Sequence, residues 1–142
     1  PTTAPTPAPT AAEQAVLDRT NAERSQRSLA PLAYHPDLAA AAEMHGLDQR
    51  HKPCGNGSLS HTGTDGSNTG DRIARTGLRV RTWAENIACN FETAEAVVAA
   101  WMASPGHRAN ILNPRMTHLG VSLTRSSADG SAYWVQVFAQ PS

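Results

Sequence analysis

The C-terminal end of the chain carries two stretches of alternating apolar and polar residues. In the first stretch, Leu119, Val121 and Leu123 are separated by small or polar residues, and the second is TyrTrpValGlnValPhe at 133–138. A polar segment with a glycine, residues 126–130, lies between them. Alternation with period two is typical of half-buried strands, and two such strands joined by a short turn form an antiparallel hairpin. The fold must therefore contain an antiparallel sheet at this end.

Helix signals occupy most of the chain before this hairpin. The predicted helices cover residues 11–27, 36–50, 71–76 and 94–103. Three of them begin at a capping residue or a proline, and Gly77 ends the one at 71–76. In the first of them, Asn21 and Arg24 fall on the core-facing side, so we expect both to hydrogen-bond to neighbouring loops. Because helices come first and a hairpin last, without regular β–α–β alternation, the predicted class is α+β, with helices covering an antiparallel sheet.

A glycine-rich segment follows the second predicted helix. Residues 52–70 contain five glycines and many serine, threonine and asparagine residues, which predicts a long loop. A loop of this length in a compact domain is usually functional or covalently pinned. Residues 83–89, further along the chain, could form a short strand or a loop.

The chain has two cysteines, Cys54 in this loop and Cys89 at the end of an apolar stretch. They lack the Cys-x-x-Cys spacing of zinc knuckles and thiol redox motifs. Two interpretations remain, a pair of buried thiols or a single disulfide, and we favour the disulfide. It would close a loop of some 35 residues, worth roughly 3.5–4 kcal/mol in the chain-entropy model, and would imply an oxidising compartment.

The termini and the overall charge narrow the function classes. Residues 1–10 alternate proline, threonine and alanine without a charge, so we interpret them as an extended linker before a domain at 11–142. Such linkers often follow a signal peptide or membrane anchor, although neither is visible and no apolar run could span a bilayer.

The twelve cationic and twelve anionic side chains balance, which argues against nucleic-acid or anionic-membrane binding. A solvated face, rather than a polyanion site, is our interpretation of Arg72, Arg75, Arg79 and Arg81.

Three polar segments contain candidate functional residues. His61 lies in SerHisThrGly at 60–63, Glu85 stands beside Asn86, and His107 falls in the first turn of a short helix. Each has a structural alternative: an exposed and idle loop histidine, a hydrogen-bonding hub at Glu85 and Asn86, and a simple helix restart. The other four histidines show no ligand spacing, and we assign structural roles to His35, His45, His51 and His118.

The position of His107 in a short helix determines its expected protonation state. Ser104 would be its N-cap and Pro105 its first residue. The positive end of the helix dipole disfavours an imidazolium there, so we expect a neutral ring, as a metal ligand or general base requires.

Taken together, these segments resemble the CAP superfamily of cysteine-rich secretory, antigen 5 and pathogenesis-related proteins. The resemblance covers about residues 13–140 and is closest to the bacterial, secreted branch. Its most specific part is SerProGlyHisArgAlaAsnIleLeu at 104–112. It also includes Asn21-x-x-Arg24, SerHisThrGly at 60–63, GluAsnIle at 85–87 and the final TyrTrpValGlnValPhe.

The resemblance implies an α-β-α sandwich with a central antiparallel sheet (the CAP fold) and a central cleft. In eukaryotic members, two histidines and two glutamates line that cleft, and some members bind zinc there. His61 matches the first histidine, Glu85 the first glutamate and His107 the second histidine, but Ser104 stands where the second glutamate belongs. A serine cannot replace that charge, so we expect His61 and His107 to bind a divalent metal such as zinc only weakly.

Three functions follow from this cleft. A binding module is our first choice, and it would take a small apolar ligand, a peptide or a cell-envelope component through His61, Glu85, Ser104 and His107. The alternatives are a hydrolase in which His61, Glu85 and His107 activate a water, with or without a metal, and a surface domain with a vestigial pocket. A serine nucleophile at Ser104 is less attractive, because an N-cap hydroxyl is usually committed to backbone N–H groups. We expect a monomer that is secreted or extracytoplasmic, with the linker available as a tether.

Overall fold

The computed structural model describes residues 8–55 and 57–142. Within these described residues, five helices and four strands follow one another as α1 (Ala11–Ser25), β1 (Ala33–Tyr34), α2 (Pro36–Gln49), α3 (Thr69–Arg75), β2 (Val80–Cys89), α4 (Ala94–Met102), α5 (Pro105–Ile111), β3 (His118–Arg125) and β4 (Ala132–Pro141). The linker predicted at 1–10 falls largely on residues outside the described part, and residues 8–10 carry no helix or strand.

The sheet has the strand order β1-β3-β4-β2 and forms the middle layer. Strands β3 and β4 form the predicted hairpin, and β2 pairs antiparallel with the other side of β4. The two-residue strand β1 pairs with β3 in parallel, so the sheet is antiparallel except at this edge. The segment 83–89 belongs to a strand that begins earlier, at Val80.

Two apolar clusters lie on opposite faces of this sheet. Alternate side chains of β4 point to opposite faces, so Trp134 and Phe138 pack with α1, α4 and α5, whereas Val135 and Val137 pack with α2 and α3. Every residue from Ala132 to Ala139 is buried, as expected for a central strand covered on both sides. The fold is therefore the predicted α+β class, an α-β-α sandwich.

Local capping explains where the helices begin. The Thr10 side chain accepts a hydrogen bond from the Glu13 amide, and the Glu13 carboxylate accepts one from the Thr10 amide, which completes a capping box for α1. Pro36 and Pro105 occupy first-turn positions of α2 and α5, as predicted. The helix at 71–76 begins two residues earlier, because Asn68 and Asp71 form a second capping box.

Polar side chains of α1 fix the connections to this helix, as the sequence predicted. The buried Arg24 guanidinium donates hydrogen bonds to four backbone carbonyls, at Ala30, Ile111, Asn113 and Met116. The Asn21 amide exchanges hydrogen bonds with the backbone of Leu32 in both directions. These bonds hold the loop before β1 and the segment at the end of α5 and after it against one helix.

Candidate functional site

The centre of the site is Glu85, a carboxylate on β2 with only 5 % of its surface exposed. Its Oε1 lies 2.8 Å from Nδ1 of His61, and its Oε2 accepts a hydrogen bond from the Arg72 guanidinium at 3.0 Å. Burial alone would raise the pKa of Glu85, but the contacts with His61, His45 and Arg72 outweigh it and lower the pKa. Glu85 is therefore an anion held between a buried cation and an imidazole.

Arg72 clamps the glycine-rich loop to this carboxylate. The residue lies on α3 and is only 2 % exposed. Besides Glu85, its guanidinium donates to the backbone carbonyls of His61 and Ser67 and to the Thr69 hydroxyl. The expectation that Arg72 belongs to a solvated arginine face is therefore wrong, although Arg75, Arg79 and Arg81 are exposed as expected.

His45 of α2 also belongs to the site, on the buried side of Glu85. Its ring is fully buried, with Nε2 2.6 Å from the Ser60 carbonyl oxygen and 3.8 Å from Oε1 of Glu85. Burial lowers the pKa of His45, which makes the ring neutral. Because a carbonyl can only accept, Nε2 carries the proton and donates it to Ser60. The sequence predicts only a structural role for His45, because no spacing links it to Glu85.

His107 lies in the first turn of α5, where the sequence placed it, and contacts Ser104. Its Nδ1 is 2.9 Å from the Ser104 hydroxyl oxygen. Burial and, to a smaller degree, the charge of His61 lower the pKa of His107, so the expected neutral ring has a cause other than the helix dipole. Ser104 is the N-cap residue of α5, but its hydroxyl makes no capping hydrogen bond. Our expectation that this hydroxyl serves the backbone is therefore wrong.

A chain of buried amides joins α5 to the sheet beside Glu85. The Asn86 side chain donates to Gln136 of β4 and to the His107 carbonyl. It accepts in turn from Asn110, which also donates to the Glu85 carbonyl. The Gln136 amide nitrogen donates in turn to the Thr20 hydroxyl of α1. The predicted hydrogen-bonding hub thus exists at Asn86, whereas Glu85 lines the cavity.

An open cavity of about 420 Å³ lies in front of Glu85. It is lined by side chains of the loop, α3, β2 and α5, namely His61, Thr62, Asn68, Thr69, Trp83, Ala84, Glu85 and Asn110. The His61 side chain is 56 % exposed and Trp83 is 41 % exposed, so both offer surface to a ligand. His107 and Ser104 do not line this cavity. The structure thus brings His61 and Glu85 into contact and leaves His107 as a neighbour of His61.

The donor set suits a metal ion poorly. Within residues 8–55 and 57–142, no three His, Cys, Asp or Glu side chains are arranged to hold one. Both oxygens of Glu85 are engaged, by His61 and Arg72. Of the two predicted histidine ligands, Nε2 of His61 and Nε2 of His107 are left for a cation, and two imidazoles fall short of the three protein ligands of a catalytic zinc site.

The predicted disulfide between Cys54 and Cys89 is present. It joins the loop that carries His61 to the C-terminal end of β2, the strand that carries Glu85. The Tyr133 hydroxyl adds a hydrogen bond to the Lys52 carbonyl near this bridge. The loop is therefore fastened to the sheet at the disulfide and at Arg72.

Comparisons with known proteins agree with this architecture. The chain is 36 % identical over 126 residues to the uncharacterized protein YkwD of Bacillus subtilis, covering 89 % of this chain and 46 % of that protein. An extracellular protein containing an SCP domain from Bacillus anthracis matches with a TM-score of 0.79 at 31 % identity, over 90 % of this chain and 40 % of the other. The chain thus spans less than half of either relative.

A third match concerns the fold alone. An outer surface protein of Borrelia burgdorferi superposes with a TM-score of 0.80 at 20 % identity, covering 91 % of this chain and 92 % of that one.

Among the described residues, no helix is both long and apolar enough to cross a membrane. The model of the cysteine-rich secretory protein family matches residues 17–138. Together with the sandwich fold, these matches show that the chain belongs to the CAP family of cysteine-rich secretory proteins.

Proposed function

We propose that this chain is a binding domain whose ligand occupies the cavity in front of Glu85. The observation that carries the proposal is the presentation of His61. Its Nδ1 is held by a buried carboxylate while more than half of the side chain is exposed, so Nε2 faces the position a ligand would take. An orientation fixed in this way reduces the entropy lost on binding.

The lining favours a ligand that has both apolar and polar groups. Trp83 and Ala84 provide the apolar part, and Thr62, Asn68 and Asn110 provide hydrogen-bonding groups. Such a mixture suits a peptide or another cell-envelope component better than a wholly apolar molecule.

Export supports the choice of an envelope ligand. A disulfide such as Cys54–Cys89 persists in oxidising compartments, and two similar solved structures are described as an extracellular protein and as an outer surface protein. We propose that the chain acts outside the cytoplasm as a monomer, with residues 1–10 as a tether.

Native mass spectrometry of the protein recovered from its own host tests the binding proposal. We expect an additional bound mass that is lost in Trp83→Ala and His61→Ala. Leu47→Ala is the matched control for Trp83, because Leu47 is equally exposed and does not line the cavity. An empty protein in repeated preparations, or a bound mass that both cavity variants retain, would contradict the proposal.

Hydrolysis is the second candidate, because the 2.8 Å contact between Glu85 and His61 is the geometry that orients a histidine general base. In this case, Nε2 of His61 would take a proton from water and Glu85 would stabilise the imidazolium. A panel of peptide, ester and glycan substrates tests this candidate. Any activity should fall at least about 100-fold in Glu85→Gln, and activity that survives this substitution would exclude the assigned base.

A divalent metal is a weakly held component in our proposal, since His61 and His107 would be its only protein ligands. Calorimetric titration with zinc should show weak binding that disappears in His61→Ala and in His107→Ala. His51→Ala, which changes an exposed histidine outside the site, is the control and should leave the binding intact. Zinc binding that both site variants retain would show that the metal binds elsewhere.

A further inference from the structure

Strand β2 lies at the edge of the sheet. Its partner is β4, and the strand order places no described strand on its other side. An edge strand presents unpaired N–H and C=O groups, and proteins usually protect such groups from pairing with other chains.

The hydrogen-bonding register shows which residues of β2 face outwards. The Asn90 amide donates to the Ala132 carbonyl, and this pair continues the register of Cys89 opposite Tyr133. Hydrogen-bonded and non-hydrogen-bonded pairs alternate in an antiparallel ladder. The backbone groups of Trp83, Glu85 and Ile87 therefore point away from β4, towards the free edge.

Most of this free edge is already protected. The Ile87 carbonyl accepts a hydrogen bond from the Trp101 indole, and the Glu85 carbonyl accepts one from Asn110. A register shift between Val80 and Thr82 interrupts the strand on the other side. Besides the Ile87 N–H, three outward backbone groups remain, all between the Glu85 carbonyl and this register shift: the N–H and C=O of Trp83 and the N–H of Glu85. No hydrogen-bond partner reaches them within the part of the chain that the structure describes.

The cavity coincides with this unprotected window. Trp83, Ala84 and Glu85 of β2 line it, together with loop residues such as Thr62 and Asn68 and with Asn110 of α5. The Trp83 indole leans over Gly70, where an added Cβ would lie 2.7 Å from the indole nitrogen. The indole therefore lies against α3, and 41 % of the Trp83 surface remains exposed.

Two exposed cations precede the window along the chain, while Asp71, paired with Asn68 in the capping box of α3, is an anion beside the cavity. Glu85 is neutralised by Arg72, whereas the exposed Arg79 and Arg81, just before the window, form no ion pair with any described residue. A carboxylate on a ligand lying along β2 would find its counter-charge there.

We infer that the cavity binds an extended peptide segment that adds to the free edge of β2 at Trp83 and places an acidic side chain near Arg81. This inference rests on the proposed binding function and names its ligand class. Addition of a strand to a sheet edge is a general mode of peptide recognition, in which backbone hydrogen bonds give the affinity. The peptide exchanges two hydrogen bonds with Trp83 and accepts a third from the Glu85 amide.

A peptide selected from a phage-displayed library of random heptapeptides, then synthesised, serves as the probe. Single N-methylation at each peptide position removes one amide proton at a time. We expect the peptide to lose about tenfold in affinity when the amide that donates to the Trp83 carbonyl is methylated. Methylation of the two adjacent amides is the matched control. These amides face away from β2 and make no hydrogen bond to it, so the affinity should change less than twofold.

Measurements on the protein complete the test. Hydrogen exchange at the amides of Trp83 and Glu85 should slow when the peptide binds, Arg81→Glu should weaken binding, and Leu47→Ala should not.

Uniform tolerance of N-methylation, unchanged exchange at both amides, or selection of basic peptides would overturn the inference. If these results occur while the host-derived mass still depends on Trp83 and His61, the peptide inference fails alone. If that mass is also absent, the proposed function fails with it.

Discussion

Glu85 and Arg72 form a buried ion pair in which each charge depends on the other. Their side chains are 1 % and 2 % exposed, and they meet at 3.0 Å. Removing a charge from water is costly, so a buried pair is often no more stable than apolar residues of the same size. Here the ion pair positions the glycine-rich loop, because the Arg72 guanidinium also donates to the backbone carbonyls of His61 and Ser67.

Arg72→Met should destabilise the fold by about 3–5 kcal/mol, since it leaves the Glu85 carboxylate buried without its cation. Urea unfolding followed by circular dichroism measures the loss. Arg75→Met is the matched control on the same helix, because Arg75 pairs with Asp65 at an exposed position and should change stability little. The double variant Arg72→Met, Glu85→Leu should recover part of the loss. Equal effects of the two single arginine variants would contradict the buried role of Arg72.

The pH dependence of stability should report on His45. Burial lowers the pKa of His45 below its ordinary value of 6.5, so the unfolded chain binds its proton more readily than the folded chain does. The stability contributed by the neutral ring is complete above pH 6.5 and decreases as the pH falls below it. We expect the wild type to lose more stability between pH 7.5 and pH 5.5 than His45→Gln, in urea unfolding at both values. Equal losses would show that His45 is not buried in its neutral form.

At the residue scale, sequence motifs identified the groups that meet the cavity but not those that support them. His61 and Glu85, which line the cavity, lie in segments with a recognisable local pattern, as does His107, which contacts Ser104 outside it. Arg72 looked like one of four surface arginines, and His45 like a packing residue of an alanine-rich helix. Their roles come from contacts across 13 and 40 residues of sequence, with Glu85, and no local pattern encodes those.

At the element scale, the contact between α2 and β3 sets the thickness of the sandwich. A Cβ added at Gly120 of β3 would lie 2.0 Å from the backbone nitrogen of Ala39 and 2.2 Å from the carbonyl carbon of Leu38. Helix and strand backbones therefore touch at a point where only glycine fits.

Gly120→Ala should accordingly destabilise the fold by at least about 3 kcal/mol, because the obstructing atoms are backbone and cannot move aside alone. Gly106→Ala is the matched control, since nothing lies within 4 Å of an added Cβ there and the position is helical. This control should be neutral or stabilising by up to about 1 kcal/mol. Thermal unfolding of both variants measures the contrast, and a tolerated Gly120→Ala would show that α2 packs less closely than described.

The disulfide acts between elements, from the loop to the end of β2. Replacing both cysteines with serine should cost roughly 4 kcal/mol by the chain-entropy estimate for this loop. It should also weaken ligand binding, because His61 lies seven residues beyond Cys54 on the same loop. Unfolding and binding assays on the double variant check both effects. Unchanged stability and affinity together would mean that Arg72 alone fixes the loop.

The elements themselves were largely predictable. Helix starts depend on capping bonds within a few residues, so Thr10, Pro36 and Pro105 marked them correctly. The hairpin followed from strict alternation. The short strand β1 and the first residues of β2 were missed, because pairing with β3 and β4 rather than local pattern makes them strands.

At the scale of the whole molecule, the two helical layers place the cavity at the sheet edge. Residues from α3 and α5, on opposite faces, reach around the free side of β2 and enclose the space in front of Glu85. The sandwich followed from the family resemblance. The position of the cavity at an unprotected strand edge required the register of β2 against β4.

A crystal structure of the protein isolated from its own host tests the central claim most directly. We predict ligand density in the cavity, in contact with His61, Trp83 and Asn110. Density that fills another surface while this cavity holds only water would contradict the account.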